Sequence, residues 1–179
     1  MSGLITGLLA AFFPPLPSSL DEARPGRRAV VRGRVVPRDI LRSPLSGAEC
    51  VYYRYSVENW RRPTVGTVAG DGFWELVDRD EAIAEFYLQD GSARALISPY
   101  FARVEPGRAA RARPVDLGVA GRRAQELLIA PGDLVEVIGR VDRVDDLFND
   151  GRDYRESPTT LCLAAPPGES ILVRILQTG

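Results

Sequence analysis

Histidine and lysine are both absent from the 179 residues, so the 23 basic side chains are all arginine. Without histidine the chain lacks the usual general base and the commonest metal ligand of proteins. Without lysine it lacks the phosphate-binding lysine of a P-loop and any Schiff-base nucleophile. These two absences exclude lysine-dependent nucleotide hydrolases and Schiff-base enzymes.

Cysteine is scarce, because Cys50 and Cys162 are the only two thiols. Two cysteines without histidine cannot complete a tetrahedral structural zinc site of cysteine and histidine ligands. Each lies in an apolar, strand-like run, which predicts a buried free thiol, although a disulfide between them stays open at this point. Carboxylate pairs such as Asp145 and Asp146 belong to no recognisable catalytic motif. We expect no catalytic residue, no metal and no cofactor.

Long apolar runs are also missing, since none approaches the roughly 20 residues that span a bilayer. The closest, residues 3–13, precedes a proline-rich break at 14–17. Its large apolar side chains recur at helical spacing and predict a docking helix, formed by Leu4, Ile5, Leu8, Leu9, Phe12 and Phe13. This helix is expected to pack on protein, to contact a membrane interface, or to remain a tail. The expected location is cytoplasmic, with peripheral membrane contact as the alternative.

The rest of the composition is that of an ordinary globular domain, with 45% hydrophobic residues, 26% charged residues and a net charge of −1. Runs rich in β-branched and aromatic residues, separated by turn signals, predict a mostly β protein. Strands are expected at residues 28–36, 50–57, 73–77, 85–89, 93–98, 134–144, 161–164 and 171–176. Asp90-Gly91 predicts a tight hairpin. Residues 121–129 are ambiguous, because their composition favours a short helix but a strand follows closely.

A short sequence pattern that occurs twice in the chain favours a closed barrel. Residues 31–35 and 137–141 share the pattern V-x-G-R-V. A glycine within a strand marks a bulge or a sharp bend, and small barrels need such bends. We therefore expect a tail at 1–17, a linker at 18–27 and a small OB-like β-barrel at 28–179, with at most one short internal helix.

Four motifs in order resemble the GIDE domain family, also called the BAM ("beside a membrane") family. The first is S-P-L-S-G followed by C-V-Y-Y-R, at residues 43–47 and 50–54. The others are F-Y-L-Q-D-G at 86–91, the P-G-D-containing strand within 126–141, and the closing segment from 154 through Leu163. The resemblance spans residues 28 to 176 and implies a β-rich, OB-like barrel with frequent membrane association.

The chain departs from the eukaryotic members of that family, which add transmembrane helices and a RING finger with ubiquitin-ligase activity. A RING finger needs around eight zinc ligands, so the resemblance does not extend to ligase activity here. The matched residues are expected to be structural. They are Pro44 and Gly47 in a turn, Gly33 and Gly139 in bent strands, Asp90 and Gly91 in a hairpin, and Tyr53 and Tyr55 filling the barrel.

Charge is distributed unevenly, with +7 over residues 24–62 and −6 over residues 67–90. Neighbouring strands of opposite sign can complement each other across a sheet, or the basic segment can form a binding face. The candidate contact residues are Arg54, Trp60, Arg61 and Arg62, together with the apolar N-terminal side chains. The leading hypothesis is a non-catalytic adaptor or scaffold that binds a protein partner, at a membrane surface in one version. The alternatives are a single-stranded nucleic-acid binder and, third, an enzyme whose reaction the sequence does not name.

Overall fold

The computed structural model describes residues 17–62, 72–107, 110–145 and 159–178. The docking helix expected at Leu4, Ile5, Leu8, Leu9, Phe12 and Phe13 lies outside these residues. Of these described residues, 63% are in strands and 2% in helix, which confirms the mostly β prediction. Within the described ranges, no helix has the length and apolar character needed to cross a membrane.

Thirteen strands form the described structure. In chain order they are β1 (Arg28–Pro37), β2 (Leu41–Arg42), β3 (Glu49–Cys50), β4 (Tyr52–Arg61), β5 (Phe73–Ile83), β6 (Phe86–Asp90), β7 (Ala93–Ile97), β8 (Ala102–Pro106), β9 (Arg113–Val115), β10 (Arg122–Ile129), β11 (Leu134–Asp145), β12 (Thr159–Ala164) and β13 (Ile171–Gln177). They make a seven-stranded sheet, a four-stranded sheet and the small β2–β3 pair.

Five strands close into a barrel in the order β1-β6-β7-β12-β11, and pairing between β1 and β11 completes the circle. The two V-x-G-R-V segments form this closing seam, since Val31 lies opposite Val137 and Gly33 opposite Val135 in the antiparallel pair. The expected barrel is therefore confirmed, and the repeated V-x-G-R-V pattern marks the seam where it closes. Strand β11 is long enough to pair with β1 on one edge and with β13 and then β12 on the other. Strand β8 extends the sheet beyond β13.

Alternating apolar side chains fill the barrel, as period-two strands with one buried face require. The fully buried members with the largest side chains include Phe86, Leu88, Ile97, Leu163, Ile171 and Ile175. The predicted Asp90-Gly91 hairpin joins β6 to β7, with Gly91 at φ 59°. Both thiols are buried and free, so neither forms a disulfide.

A second sheet, in the order β5-β4-β10-β9, stands beside the barrel. Its proximal end packs against the barrel core through Tyr52, Leu127 and Ile129, which are all buried. The expectation that Tyr53 and Tyr55 fill the barrel is wrong, because both lie half-exposed on the opposite face of β4. Alternation shows that neighbours face opposite ways, but only the pairing partner decides which one is buried.

One open alternative is decided and one further expectation is corrected. Residues 122–129 form strand β10, not a helix, because pairing with both β4 and β9 outweighs their helix propensity. Residues 18–27 are not a free linker. Ser18 bridges to Val31, a short 3-10 turn at Leu20–Glu22 follows, and Leu20 is 1% exposed in the core.

The S-P-L-S-G segment forms the turn between β2 and β3, with Gly47 at φ 71°. This turn supplies a hydrogen bond to a buried carboxylate, because the Ser43 hydroxyl donates to Glu126 Oε2 at 2.6 Å. Both side chains are nearly inaccessible, and a buried carboxylate without hydrogen bonds would be costly. The motif therefore serves to tie the β2–β3 hairpin to β10.

Candidate functional site

The end of the second sheet that lies away from its buried base carries a cluster of aromatic, aliphatic and arginine side chains. We call it the distal patch, and it consists of Trp60, Arg61, Arg62, Phe73, Trp74, Leu76, Val77, Arg122 and Arg123. Strands β4 and β5 bring its two halves together by antiparallel pairing. Strand β10 contributes its first two residues from the other side of β4.

Two tryptophans form the centre of the distal patch. Trp60 and Trp74 are directly opposite in the β4–β5 pair, and their rings meet edge to face with centroids 5.2 Å apart. The Arg123 guanidinium lies over the Trp74 ring at 4.3 Å, and its Nε also donates to Glu58 Oε2. Gly72 is required beside them, since a Cβ there would fall 2.2 Å from the Trp60 ring. The ring–ring contact, Arg123 and Gly72 together therefore fix the positions of the two tryptophans.

Large apolar side chains remain exposed around this pair. Among the described residues, eight large hydrophobic side chains are exposed, and half of them belong to the distal patch: Trp60, Phe73, Leu76 and Val77. A fifth, Val119, lies in the turn whose Gly121 carbonyl accepts the Trp60 amide. Trp60 and Leu76 share one face of the sheet, whereas Phe73 lies on the other face with Arg61, so exposed apolar side chains cover both faces at this end. Scattered single apolar side chains are normal on a protein surface, but a concentration of them at one end of a sheet is more typical of an interaction site.

Four arginines surround the apolar side chains. Arg61 donates to Glu75 at 2.6 Å, and Arg123 pairs with Glu58. Arg122 donates to the uncharged Asn59 side chain at 2.9 Å. Within the described ranges, Arg62 and Arg122 form no ion pair. The distal patch therefore has positive charge that its own carboxylates do not neutralise.

The proximal half of the same sheet is acidic. The Tyr53 hydroxyl donates to Asp80 at 3.0 Å and the Tyr55 hydroxyl to Asp78 at 3.2 Å. The hydrogen bond to Asp80 is the main cause that raises the pKa of Tyr53, whereas desolvation, followed by the hydrogen bond to Asp78, raises the pKa of Tyr55. Arg54 lies here, opposite Glu81, and not in the distal patch. Of the four residues predicted for contact in this region, Trp60, Arg61 and Arg62 are together and Arg54 is separate.

Sequence reasoning missed the β5 and β10 members of the distal patch. A usable signal was present, because Phe73-Trp74-Glu75-Leu76-Val77 does not alternate and so places apolar side chains on both faces of the strand. On an outer strand of this sheet, that pattern leaves apolar side chains exposed on both faces, with Phe73 on one and Leu76 on the other. Arg122 and Arg123 gave no such signal, since only the β4–β10 register brings them here.

Both edges of the second sheet discourage strand addition. The β4–β5 register shifts between Val57 and Glu58, which leaves Val77 as a bulge on the outer strand β5. Strand β9, at the other edge, has three residues and contains Pro114. Bulges, short strands and proline are the usual means by which natural sheets prevent edge pairing. Contact with another molecule is therefore expected through side chains of the distal patch.

The surroundings of the two thiols disfavour a role as catalytic nucleophiles. Burial, followed by the nearby carboxylates of Asp142 and Glu85, raises the pKa of Cys162 to about 11. Burial and the Glu126 carboxylate also raise the pKa of Cys50. Because the thiolate is the reactive form, neither thiol is poised for catalysis at neutral pH. Within the described ranges, no three Cys, Asp or Glu side chains are arranged to hold a metal ion.

The raised thiol pKa predicts a stability loss in alkali. Between pH 9 and 11 the unfolded chain releases the Cys162 proton and the folded chain retains it, so the free energy of unfolding falls as pH rises. At about 1.4 kcal/mol per pH unit, we expect a loss of about 2 kcal/mol over this range. Urea unfolding at several pH values measures it. In Cys162→Ala the fall should be smaller, and an undiminished fall would contradict the assignment.

Comparisons with family models, with curated proteins and with solved structures yield no match to this chain.

Proposed function

We propose that the protein is a non-catalytic binding module that holds a partner protein at the distal patch. One observation carries this proposal: half of the exposed large hydrophobic side chains in the described structure lie at the same end of the second sheet, distributed over its two faces. Aromatic and arginine side chains are the residue types most enriched at protein interfaces and in their hot spots. The resemblance to the GIDE/BAM family points the same way and stays a prediction, as does a cytoplasmic or membrane-peripheral location.

The barrel supports this role by holding the second sheet in place. Tyr52 is fully buried at the base of the sheet, and its hydroxyl donates to Glu81 Oε1 at 2.8 Å across the β4–β5 pair. Leu127 and Ile129 join the same core from β10. Because the base of the sheet belongs to the barrel core, the distal patch needs little ordering when a partner binds. Such preorganisation lowers the entropic cost of binding.

Single-stranded nucleic acid is the alternative partner, favoured by the combination of tryptophan and arginine in one patch. Two arginines of the barrel that could contact a nucleic-acid strand already have partners within the protein. Arg32 pairs with Glu136 at 2.7 Å, and Arg34 donates to the Gly132 carbonyl at 2.9 Å. The acidic proximal half of the second sheet would also repel phosphates. A protein partner is therefore the better-supported reading.

The proposal is tested by a pair of matched double variants. The first, Phe73→Ser with Leu76→Ser, removes two exposed side chains of the distal patch; the second, Ile40→Ser with Tyr100→Ser, removes two exposed elsewhere. A photo-crosslinking amino acid in place of Val77 identifies the partner in the native host, and binding of the purified partner is then measured by calorimetry. Since a hot-spot side chain is worth about 2 kcal/mol, we expect a loss of at least roughly thirtyfold for the first variant only.

If both double variants bound the partner with equal affinity, the distal patch would not be part of the interface. Crosslinking of Val77 to nucleic acid, with salt-sensitive retention of a labelled single strand, would replace the protein-partner proposal with the alternative. Because all four side chains are about half-exposed or more, neither variant should change the unfolding midpoint appreciably. Circular dichroism and thermal unfolding check this before binding is compared.

A further inference from the structure

The seven-stranded sheet ends at strand β8, which pairs with β13 on one side only. The Ile171 amide donates to the Phe101 carbonyl at 3.2 Å, so in the alternating pattern of a parallel pair the odd-numbered residues of β8 bond to β13. The backbone groups of Ala102, Val104 and Pro106 therefore point towards the open edge. Among the residues that the structure describes, no other strand pairs with that edge.

Val104 is the one residue of β8 that offers both a backbone donor and a backbone acceptor at this edge. The Ala102 amide already donates to the Pro99 carbonyl at 3.1 Å, and Pro106 has no amide hydrogen. An antiparallel strand from a second copy can therefore exchange a pair of backbone hydrogen bonds only where Val104 faces Val104. The proline thus limits the pairing to a single register.

The exposed face of β8 carries one charge of each sign, on either side of Val104. The side chain of Arg103 is 73% exposed and that of Glu105 is 33% exposed. In the register that places Val104 opposite Val104, Arg103 of each copy lies opposite Glu105 of the other. These are non-hydrogen-bonded positions, where Cα atoms approach to about 4.5 Å and side chains are closest. Charges on an edge strand usually repel further strands, but this edge is complementary to itself.

Glu105 is also the last member of a ladder of alternating charges that crosses the sheet. Arg32 on β1 and Arg174 on β13 approach Glu136 on β11 at 2.7 and 2.8 Å. The contacts loosen at Glu105, whose carboxylate lies 3.5 Å from a nitrogen of Arg174 and 3.4 Å from one of Arg103. The Glu105 carboxylate can therefore take a closer cationic partner, and the open edge is the side from which that partner can come.

An exposed aromatic side chain stands beside the edge. Phe101, in the turn before β8, is 79% exposed and has a φ of 57°, a conformation that bulky residues rarely adopt. In the pairing centred on Val104, Phe101 lies level with Gly107 of the second copy, beside its exposed Pro106. Packing on that proline buries an aromatic ring that a single copy leaves in water.

From these observations we infer that β8 is a self-association site, at which two copies of the chain pair antiparallel with Val104 on the two-fold axis. The contact is isologous, so each copy uses its one β8 edge and no third copy is added. Backbone hydrogen bonds at Val104, ion pairs between Arg103 and Glu105, and contacts of Phe101 with Pro106 form the interface. Because this interface is small, we expect a weak dimer with a Kd of about 10–100 µM. The distal patch belongs to the other sheet and takes no part in this contact.

Sedimentation equilibrium of the full chain tests the inference, at concentrations from about tenfold below to about tenfold above the expected Kd. We expect a monomer–dimer equilibrium. Arg103→Glu places like charges opposite each other at both ion pairs and should weaken the dimer at least about tenfold, as should Glu105→Arg. An equimolar mixture of the two variants should dimerise again, because every facing pair then joins opposite charges. Circular dichroism should show both variants folded, since neither side chain is buried.

Phe73→Ser with Leu76→Ser is the control, because it changes exposed side chains of the other sheet and should leave self-association unchanged. A chain that stays monomeric over the whole concentration range would overturn the inference. Undiminished dimerisation of Arg103→Glu would do the same, as would a mixture that dimerises no better than either variant alone. Loss of the dimer in Phe73→Ser/Leu76→Ser would also overturn it, since self-association would then occur through the distal patch.

Discussion

Gly33→Ala should lower the free energy of unfolding by about 3 kcal/mol or more. Gly33 lies in the closing seam, where β1 crosses from β11 to β6. A Cβ at this position would fall 2.5 Å from the Gln89 carbonyl oxygen and 2.9 Å from Leu88 Cγ. The first of these neighbours is backbone of the barrel itself, so relief requires the strands to separate. Urea unfolding measures the loss.

Gly139→Ala is the matched control, since Gly139 occupies the same place in the second V-x-G-R-V segment. A Cβ there would meet the Ala164 carbonyl oxygen at 3.0 Å and Ile171 side-chain carbons at 3.2 Å and beyond. Small shifts relieve these contacts, so a loss of about 1–2 kcal/mol is expected. Equal losses for the two variants would show that the seam does not depend on close approach at Gly33.

Glu136→Ala should cost about 2–4 kcal/mol, because Glu136 is a buried carboxylate that holds two arginines across three strands. Its side chain is 6% exposed and accepts from Arg32 at 2.7 Å and from Arg174 at 2.8 Å. The same register continues to Glu105 on β8, so alternating charges cross β1, β11, β13 and β8. The two arginines are partly hydrated, which places the expected loss below that of a fully buried pair.

The control for this prediction is Glu169→Ala, which removes the partner of Arg28 from an ion pair exposed on both sides. Exposed pairs contribute little, so its loss should stay below about 0.5 kcal/mol. Chemical unfolding of both variants at low and high salt measures the difference. A loss for Glu136→Ala as small as that of the control would mean that the charge ladder does not stabilise the seam.

Most of the barrel could be predicted from the sequence because its signals are local. Period-two patterns marked the strands, Asp90-Gly91 marked the hairpin, and the repeated glycine pattern marked the two strands of the seam. The second sheet was not predicted, since it depends on which distant strands pair. Strand β10 shows this most clearly, because its helix-favouring residues are held extended between β4 and β9.

The candidate site was half predicted for the same reason. Trp60, Arg61 and Arg62 are neighbours in sequence, and their residue types alone indicated contact. Phe73 and Arg122 join them only through the β4–β5 and β4–β10 registers, which no local pattern specifies. Burial of Tyr52 instead of Tyr53 and Tyr55 follows from the same long-range pairing.

The most direct test of the account is amide hydrogen exchange of the full chain, free and saturated with the partner that Val77 crosslinks. Slowed exchange is expected at the distal ends of β4, β5 and β10, around Trp60, Phe73 and Arg122, with the barrel strands unchanged. Protection confined to another exposed aromatic site, such as the turn at Tyr100 and Phe101, with none at the distal patch, would contradict it.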